Sequence, residues 1–155
     1  MRKPKSTNQK VLNATKIEYK GIQFRSKLEL FTYKQLQEAD IKADYEKHKF
    51  VIEDGFKYKN PIYKKINSKK NGSSFKKGTE LIRPITYTPD FVKLDSNKKG
   101  FIIEVKGFAT EAFKLKWKLF LKYLNDNGYD VDLYIPRNQG NVLDTVNLIK
   151  SKLNE

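Results

Sequence analysis

An α/β fold, a three-layer sandwich in which a central mixed sheet lies between helices, is predicted by three observations on this sequence. Residues 87–107, YTPDFVKLDSNKKGFIIEVKG, read as two strands around a polar turn, because apolar and polar side chains alternate with period 2 on either side of 95–100. Two segments, 26–39 and 110–125, carry apolar residues at helical spacing. The resulting order is helix, strand, strand, strand, helix, strand, helix. It calls for a mixed sheet flanked by helices, with a right-handed crossover if the strand at 129–135 runs parallel to the one at 101–106.

Each element has its own signal. Residues 1–15 form a basic tail with Arg2, Lys3, Lys5 and Lys10, the composition of a flexible terminus, and residues 16–155 follow as one domain. Residues 15–24 suit a short strand with a turn at Lys20-Gly21. Ser26 stands three residues before Glu29, a capping-box pattern, and Leu28, Phe31, Leu36 and Ala39 continue it as an amphipathic helix. By this local reading Glu29 is the cap partner of Ser26. Residues 43–53, ADYEKHKFVIE, read as one strand, with His48 a surface residue of that strand. At 54–83 the composition shifts: eight lysines and three glycines are interleaved with Phe56, Tyr58, Tyr63 and Phe75. A structureless loop of that length is rare in a compact domain, and the Ser-Lys-Lys-Asn-Gly run suits the turn of a protruding hairpin with arms at 56–66 and 75–85.

Past the 87–107 hairpin, Phe113, Trp117, Phe120, Leu121 and Leu124 form the apolar face of a helix that stops at Asn127-Gly128. Lys114, Lys118 and Lys122 form a stripe on another face of it. Residues 129–135 alternate as a strand, and Val142, Val146, Ile149 and Leu153 mark a final helix.

Composition limits the chemistry. With 38% hydrophobic and 13% aromatic residues in 155, the chain can bury a core. Its net charge of +14, from 32 basic and 18 acidic residues, points to a polyanionic partner, nucleic acid before membrane. No apolar run reaches the roughly 18 residues of a membrane span, and no apolar segment follows the basic start, so a cytoplasmic protein is expected. The absence of cysteine excludes disulfides, thiolate zinc sites and cysteine nucleophiles, and a single histidine argues against histidine-based catalysis. Catalysis in such a chain falls to carboxylates and lysine.

Those groups converge in the hairpin. Phe101, Ile103 and Val105 share one face of the second strand, and Ile102, Glu104 and Lys106 share the other. If the register turns Asp90 toward Glu104, two carboxylates and an ammonium meet beside strand carbonyls. Such oxygen ligands suit Mg²⁺, and the setting suits phosphodiester hydrolysis. The alternative from the hairpin alone is an exposed polar edge at Glu104 and Lys106, with Asp90 ending a turn after Pro89. The basic, aromatic-studded segment 54–83 is either a flap that tracks a phosphate backbone or a solvated insertion.

Three blocks in this order carry a resemblance: Phe24-Arg-Ser-Lys-Leu-Glu29, Tyr87-Thr-Pro-Asp-Phe91 and Glu104-Val-Lys-Gly107, with Asp90 and Glu104 fourteen residues apart. The chain is similar to the PD-(D/E)xK nuclease superfamily, and within it most resembles the phage endonuclease I family of Holliday-junction resolvases. The likeness spans 24–107 and departs at the 54–83 insertion and in the C-terminal part. It implies a restriction-endonuclease-like core and metal ligation by Asp90, Glu104 and the Val105 carbonyl, with Glu29 completing the site. It implies further that Lys106 positions the attacking water and that Mg²⁺ is the ion, with Mn²⁺ as substitute. The partner implied is branched DNA cut by a homodimer, in the host cytoplasm if the protein is phage-encoded. Arg25, Lys69, Lys70, Lys76, Lys77, Lys114, Lys118 and Lys122 are the candidate DNA contacts. Two alternatives accompany this reading: a nuclease of the same superfamily acting on linear duplex, of restriction or transposon-end type, and a non-catalytic basic nucleic-acid-binding protein.

Overall fold

The computed structural model describes residues 16–68, 72–107 and 109–154. The chain opens on a hairpin of β1 (Ile17–Tyr19) and β2 (Ile22–Phe24), closed by Lys20 at φ 51° and Gly21 at φ 75°. Two successive positive φ angles match the right-handed twist of the strands they join. Helix α1 (Lys27–Glu38) starts at Ser26, whose Oγ accepts the Glu29 N–H at 3.2 Å, as the capping pattern predicts.

The single strand expected at 43–53 is two strands. β3 (Asp44–Tyr45) and β4 (Phe50–Glu53) belong to different sheets, and the chain breaks between them at Glu46, φ 48°. The segment 54–83 is paired and not a loop. β4 pairs with β9 (Ile85–Tyr87), β5 (Phe56–Lys57) with β8 (Leu81–Ile82), and β6 (Ile62–Ser68) with β7 (Gly72–Gly78), each ladder antiparallel and nested in the one before. The expected hairpin arms are therefore present. Its turn lysines, Lys69 and Lys70, and the tail 1–15 lie outside the described residues.

Residues 87–94, read as one strand, also divide. β9 ends at Tyr87, and β10 (Phe91–Leu94) starts after Thr88-Pro89-Asp90. Proline has no N–H to give to a ladder, which accounts for the break. β10 pairs antiparallel with β11 (Lys99–Ile103) and, on its other side, with β3. At the β10–β11 turn Asp95 Oδ1 accepts the N–H groups of Asn97 and Lys99. After α2 (Glu111–Asp126), β12 (Asp130–Tyr134) returns parallel to β11, and α3 (Gln139–Leu153) ends the chain. Among the described residues the fold is thus a mixed α/β arrangement of three helices, a four-stranded mixed sheet ordered β12-β11-β10-β3, and four two-stranded sheets.

Alternation along β11 divides the core. Phe101, Ile103 and Val105 pack with Leu36 of α1 and Val142, Val146 and Ile149 of α3. Ile102 packs with Val92, Phe50, Tyr87 and with Phe120 and Leu124 of α2. β11 is therefore apolar on both sides, and Ile102 and Ile103 are fully buried. Each such side chain contributes about 1.5–3 kcal/mol by leaving water. Two residues counted toward buried faces are exposed: Leu121 at 37% and Leu153 at 50%. The stripe of α2 that meets the sheet is narrower than its apolar face, and Leu153 lies one turn beyond Ile149, the last residue of α3 in the core. No helix among the described residues is long and apolar enough to cross a membrane.

Candidate active site

The β10–β11 ladder ends at Phe91 opposite Ile103, so the next step of the same register sets Asp90 opposite Glu104. Both carboxylates are buried, 8% and 6% exposed, although neither lies in a strand. The two chains stay joined beyond the ladder, where the Val105 N–H donates to Asp90 Oδ2 at 2.7 Å. Glu104 and Lys106 still follow β12, their N–H groups donating to the carbonyls of Tyr134 and Pro136. This fixes the direction of both side chains. Lys106 Nζ stands 3.8 Å from Glu104 Oε1 and 4.6 Å from the centre of the Phe113 ring.

Glu29 reaches the same place from α1. It is 6% exposed, and three donors hold it: the Ser26 hydroxyl to Oε1 at 2.8 Å, and the Arg25 N–H and Tyr45 hydroxyl to Oε2 at 3.0 and 2.6 Å. The local reading, Glu29 as cap partner of Ser26, therefore describes its bonding. The reciprocal donor is the N–H of Arg25, one residue before the cap, instead of that of Ser26.

A fourth carboxylate, Glu46, was missed. Read as part of a continuous strand, it sits among surface charges. In the fold the left-handed turn at Glu46 lets its N–H donate to the Asp90 carbonyl at 2.9 Å, and its carboxylate meets Arg25 Nε at 2.8 Å. No alternation rule reports a turn of this kind inside a strand-like run. Tyr45 and Tyr87 were missed as well: the first bonds Glu29, and the hydroxyl of the second is buried beside the Glu104 carboxylate.

The electrostatics follow from this crowding. Burial, with the charges of Glu104 and Glu29 added to it, pushes the Asp90 carboxyl up to about 8, against the Val105 N–H, which favours the ionised form. Burial also raises Glu104, with Lys106 opposing it, and raises Glu46, with Arg25 opposing it. The Tyr87 and Tyr45 phenols are raised by burial first and then by the carboxylates beside them. The site as a whole holds more negative charge than its fixed cations neutralise.

An open cleft of about 620 Å³ borders this cluster and is lined by Arg25, Tyr87, Glu104, Lys106, Phe113 and Lys116 among others. A second cleft, about 520 Å³, shares Lys106 and Phe113 with the first and continues past Lys114, Lys118 and Arg137. Lys106 thus stands between two basic clefts. Lys114 and Lys122 are exposed but paired with Glu111 and Asp126, and Lys76 and Lys77 lie on β7, away from the clefts.

Among the described residues no three or more His, Cys, Asp or Glu side chains are arranged as a group that could hold a metal ion. Glu29 accounts for part of this, since both of its oxygens are turned into the helix cap. The remaining donors nevertheless suit a hard divalent cation. The Glu104 carboxylate is buried beside the Tyr87 hydroxyl, Asp90 gives Oδ2 to the Val105 N–H, and the repulsion among the buried carboxylates is what a cation would relieve. Asp90 and Glu104 are the residues that would hold it.

A family model described as Protein of unknown function (DUF1064) matches residues 9–132. The chain belongs to that family. The matched span of the DUF1064 family includes Arg25, Glu29, Glu46, Asp90, Glu104, Lys106 and all of α2, and it stops within β12, so α3 lies outside it. No curated protein and no solved structure matches the chain.

Proposed function

We propose that this DUF1064 protein is a Mg²⁺-dependent DNA endonuclease that hydrolyses phosphodiesters at branched DNA such as Holliday junctions, on a three-layer sandwich core. The observation that carries the reading is the gathering of Asp90, Glu104 and Lys106 at the end of one sheet, with Glu29 of α1 close enough to act on Asp90 and with Glu104 and Lys106 lining a basic cleft. Buried carboxylates facing a phosphate repel it and are costly to keep in a protein that only binds DNA. They are useful where a cation lies between them and the phosphate.

Each residue has a role that suits its bonds. Asp90 and Glu104 would hold the ion, and the Val105 N–H fixes the Asp90 carboxylate in place. Bound Mg²⁺ would polarise the scissile phosphate and make a coordinated water easier to deprotonate. Lys106, partly exposed and 3.8 Å from Glu104, is placed to orient the attacking water or to meet charge developing on the phosphate. Glu29, held in its cap, orients the site from α1 and adds negative charge. Arg25 and Lys116 line the cleft where a backbone would enter. The reading carries a homodimer with it, since paired cuts across a two-fold junction need two sites, and a cytoplasmic setting where that DNA is found.

Cleavage of a labelled four-way junction, compared with a linear duplex of the same arm sequence, in Mg²⁺ and in EDTA, tests it. Paired cuts near the branch that vanish in EDTA are expected. Equal cutting of both DNAs would leave a nuclease without junction preference, and no cutting with Mg²⁺ or Mn²⁺ would overturn the reading.

A further inference from the structure

The β6–β7 ribbon is chemically two-sided. Side chains directly opposite in an antiparallel ladder share a face, and neighbours along a strand alternate. Its register pairs Tyr63 with Lys77 and Lys65 with Phe75, while Lys64 pairs with Lys76 and Ile66 with Ser74. One face therefore carries Tyr63, Lys65, Phe75 and Lys77 as a checkerboard of two rings and two ammonium groups. The other carries Ile62, Lys64, Ile66 and Lys76, with Lys64 Nζ held by Glu80 at 2.7 Å.

Nothing internal explains the checkerboard face. Tyr63 is 59% exposed and Phe75 71%, and neither belongs to a core cluster or to a ring pair among the described residues. The lysines do not cover them either: the lysine–ring contacts among the described residues fall on Tyr19, Tyr129 and Phe113. A two-stranded ribbon is marginal in water by itself, and two large exposed rings on one side do not help it. Two rings on one surface with ammonium groups between them match a strand of unpaired nucleotides, whose bases stack on aromatic faces while the phosphates meet lysines. The spacing is compatible. Tyr63 and Phe75 are diagonal neighbours, a relation that separates side chains by about 7–8 Å. That is close to twice the ~3.4 Å rise of stacked bases along one strand.

We propose that the Tyr63, Lys65, Phe75 and Lys77 face of the β6–β7 ribbon is a stacking platform for unpaired bases of branched or single-stranded DNA. It selects the substrate by its exposed bases, a property that an intact duplex lacks. The inference rests on the nucleic-acid reading above but not on catalysis, so binding is measured in EDTA, where nothing is cut.

The experiment uses the full chain and fluorescence anisotropy with three labelled DNAs: an oligo-dT single strand, a four-way junction with unpaired nucleotides at its centre, and a linear duplex. Wild type is expected to prefer the first two. Tyr63→Ala with Phe75→Ala should weaken those two by at least about thirtyfold and leave the duplex within about twofold, since each base–ring stack is worth about fivefold or more and two are lost. Lys65→Ala with Lys77→Ala should weaken all three and make each less sensitive to salt. The exchange Tyr63→Phe with Phe75→Tyr, which keeps both rings, should bind as wild type and so separates stacking from a misfolded ribbon. Wild-type affinity of the double alanine variant for all three DNAs overturns the proposal. So does an equal loss on all three, or a change in oligomeric mass with DNA binding intact, which would make the face a contact between copies of the chain. Selective binding without cleavage in any metal would overturn the nuclease reading and leave this one standing.

Discussion

Replacing Asp90 by asparagine should make the metal-free protein more stable while removing its activity. The carboxyl is buried among Glu104, Glu29 and Glu46, and its proton is held up to about 8 against an ordinary 3.8. Between those values the folded protein keeps a proton that the unfolded chain has released, so the unfolded state binds fewer protons and stability falls as pH rises through the window. Each tenfold difference in proton affinity is worth about 1.4 kcal/mol, which puts the loss at pH 8 on the order of 5 kcal/mol. Asparagine can still accept the Val105 N–H and carries no charge. The expected result is a variant equal to wild type near pH 4 and more stable than it at pH 8 by on the order of 2–5 kcal/mol, measured by urea denaturation in EDTA across that range. Millimolar Mg²⁺ at pH 8 should stabilise wild type and not the variant, because only the former gains by binding the ion. An Asp90→Asn protein less stable than wild type at pH 8, or one whose advantage does not grow with pH, would refute the argument that these carboxylates strain one another.

Three other perturbations probe the framework. Tyr45→Phe removes the 2.6 Å hydrogen bond to Glu29 and should cost about 1.5–3 kcal/mol in denaturant unfolding, as bonds to charged groups do; a loss below 0.5 would mean that Ser26 and Arg25 hold Glu29 without it. Gly100→Ala should destabilise by at least about 2 kcal/mol, since Gly100 has φ 150° and a Cβ there would stand 2.0 Å from the Lys93 carbonyl oxygen; an unchanged melting temperature would show that the β10–β11 turn yields. Arg25→Ala leaves Glu46 without its ion pair and the cleft with one cation fewer, so junction affinity should fall about three- to tenfold and the salt slope by about one; an unaltered slope would take Arg25 off the DNA path.

Local patterns carried much of this fold. Ser26 and Glu29 announced the start of α1, and alternation through Phe101, Ile103 and Val105 announced a strand with an apolar face, while the burial of Ile102 against α2 on its other side is a finding of the fold. The parallel pairing of β12 with β11, the condition on which the expected crossover depended, is met. What the sequence concealed were the breaks. Glu46, at φ 48°, divides a strand-like run into pieces of two sheets, and Thr88-Pro89-Asp90 does the same before β10. Each break is decided by which distant strand is available to pair, and no local periodicity reports that. The same limit explains the site. Asp90, Glu104 and Lys106 were legible because they lie on one hairpin, whereas Glu46, Tyr45 and Tyr87 come to it only through tertiary pairing. The exposure of Leu121 and Leu153 has the same origin, since the width of a helix's buried stripe is set by the sheet it meets.

The most direct test of the central claim is single-turnover cleavage of a labelled four-way junction by wild type, Asp90→Asn and Lys106→Ala, with the affinity of each for the same junction measured in parallel. The account predicts paired Mg²⁺-dependent cuts near the branch by wild type, a loss of at least about a thousandfold in both variants, and junction affinities within about threefold of one another. Cutting by Asp90→Asn or Lys106→Ala at the wild-type rate would contradict it.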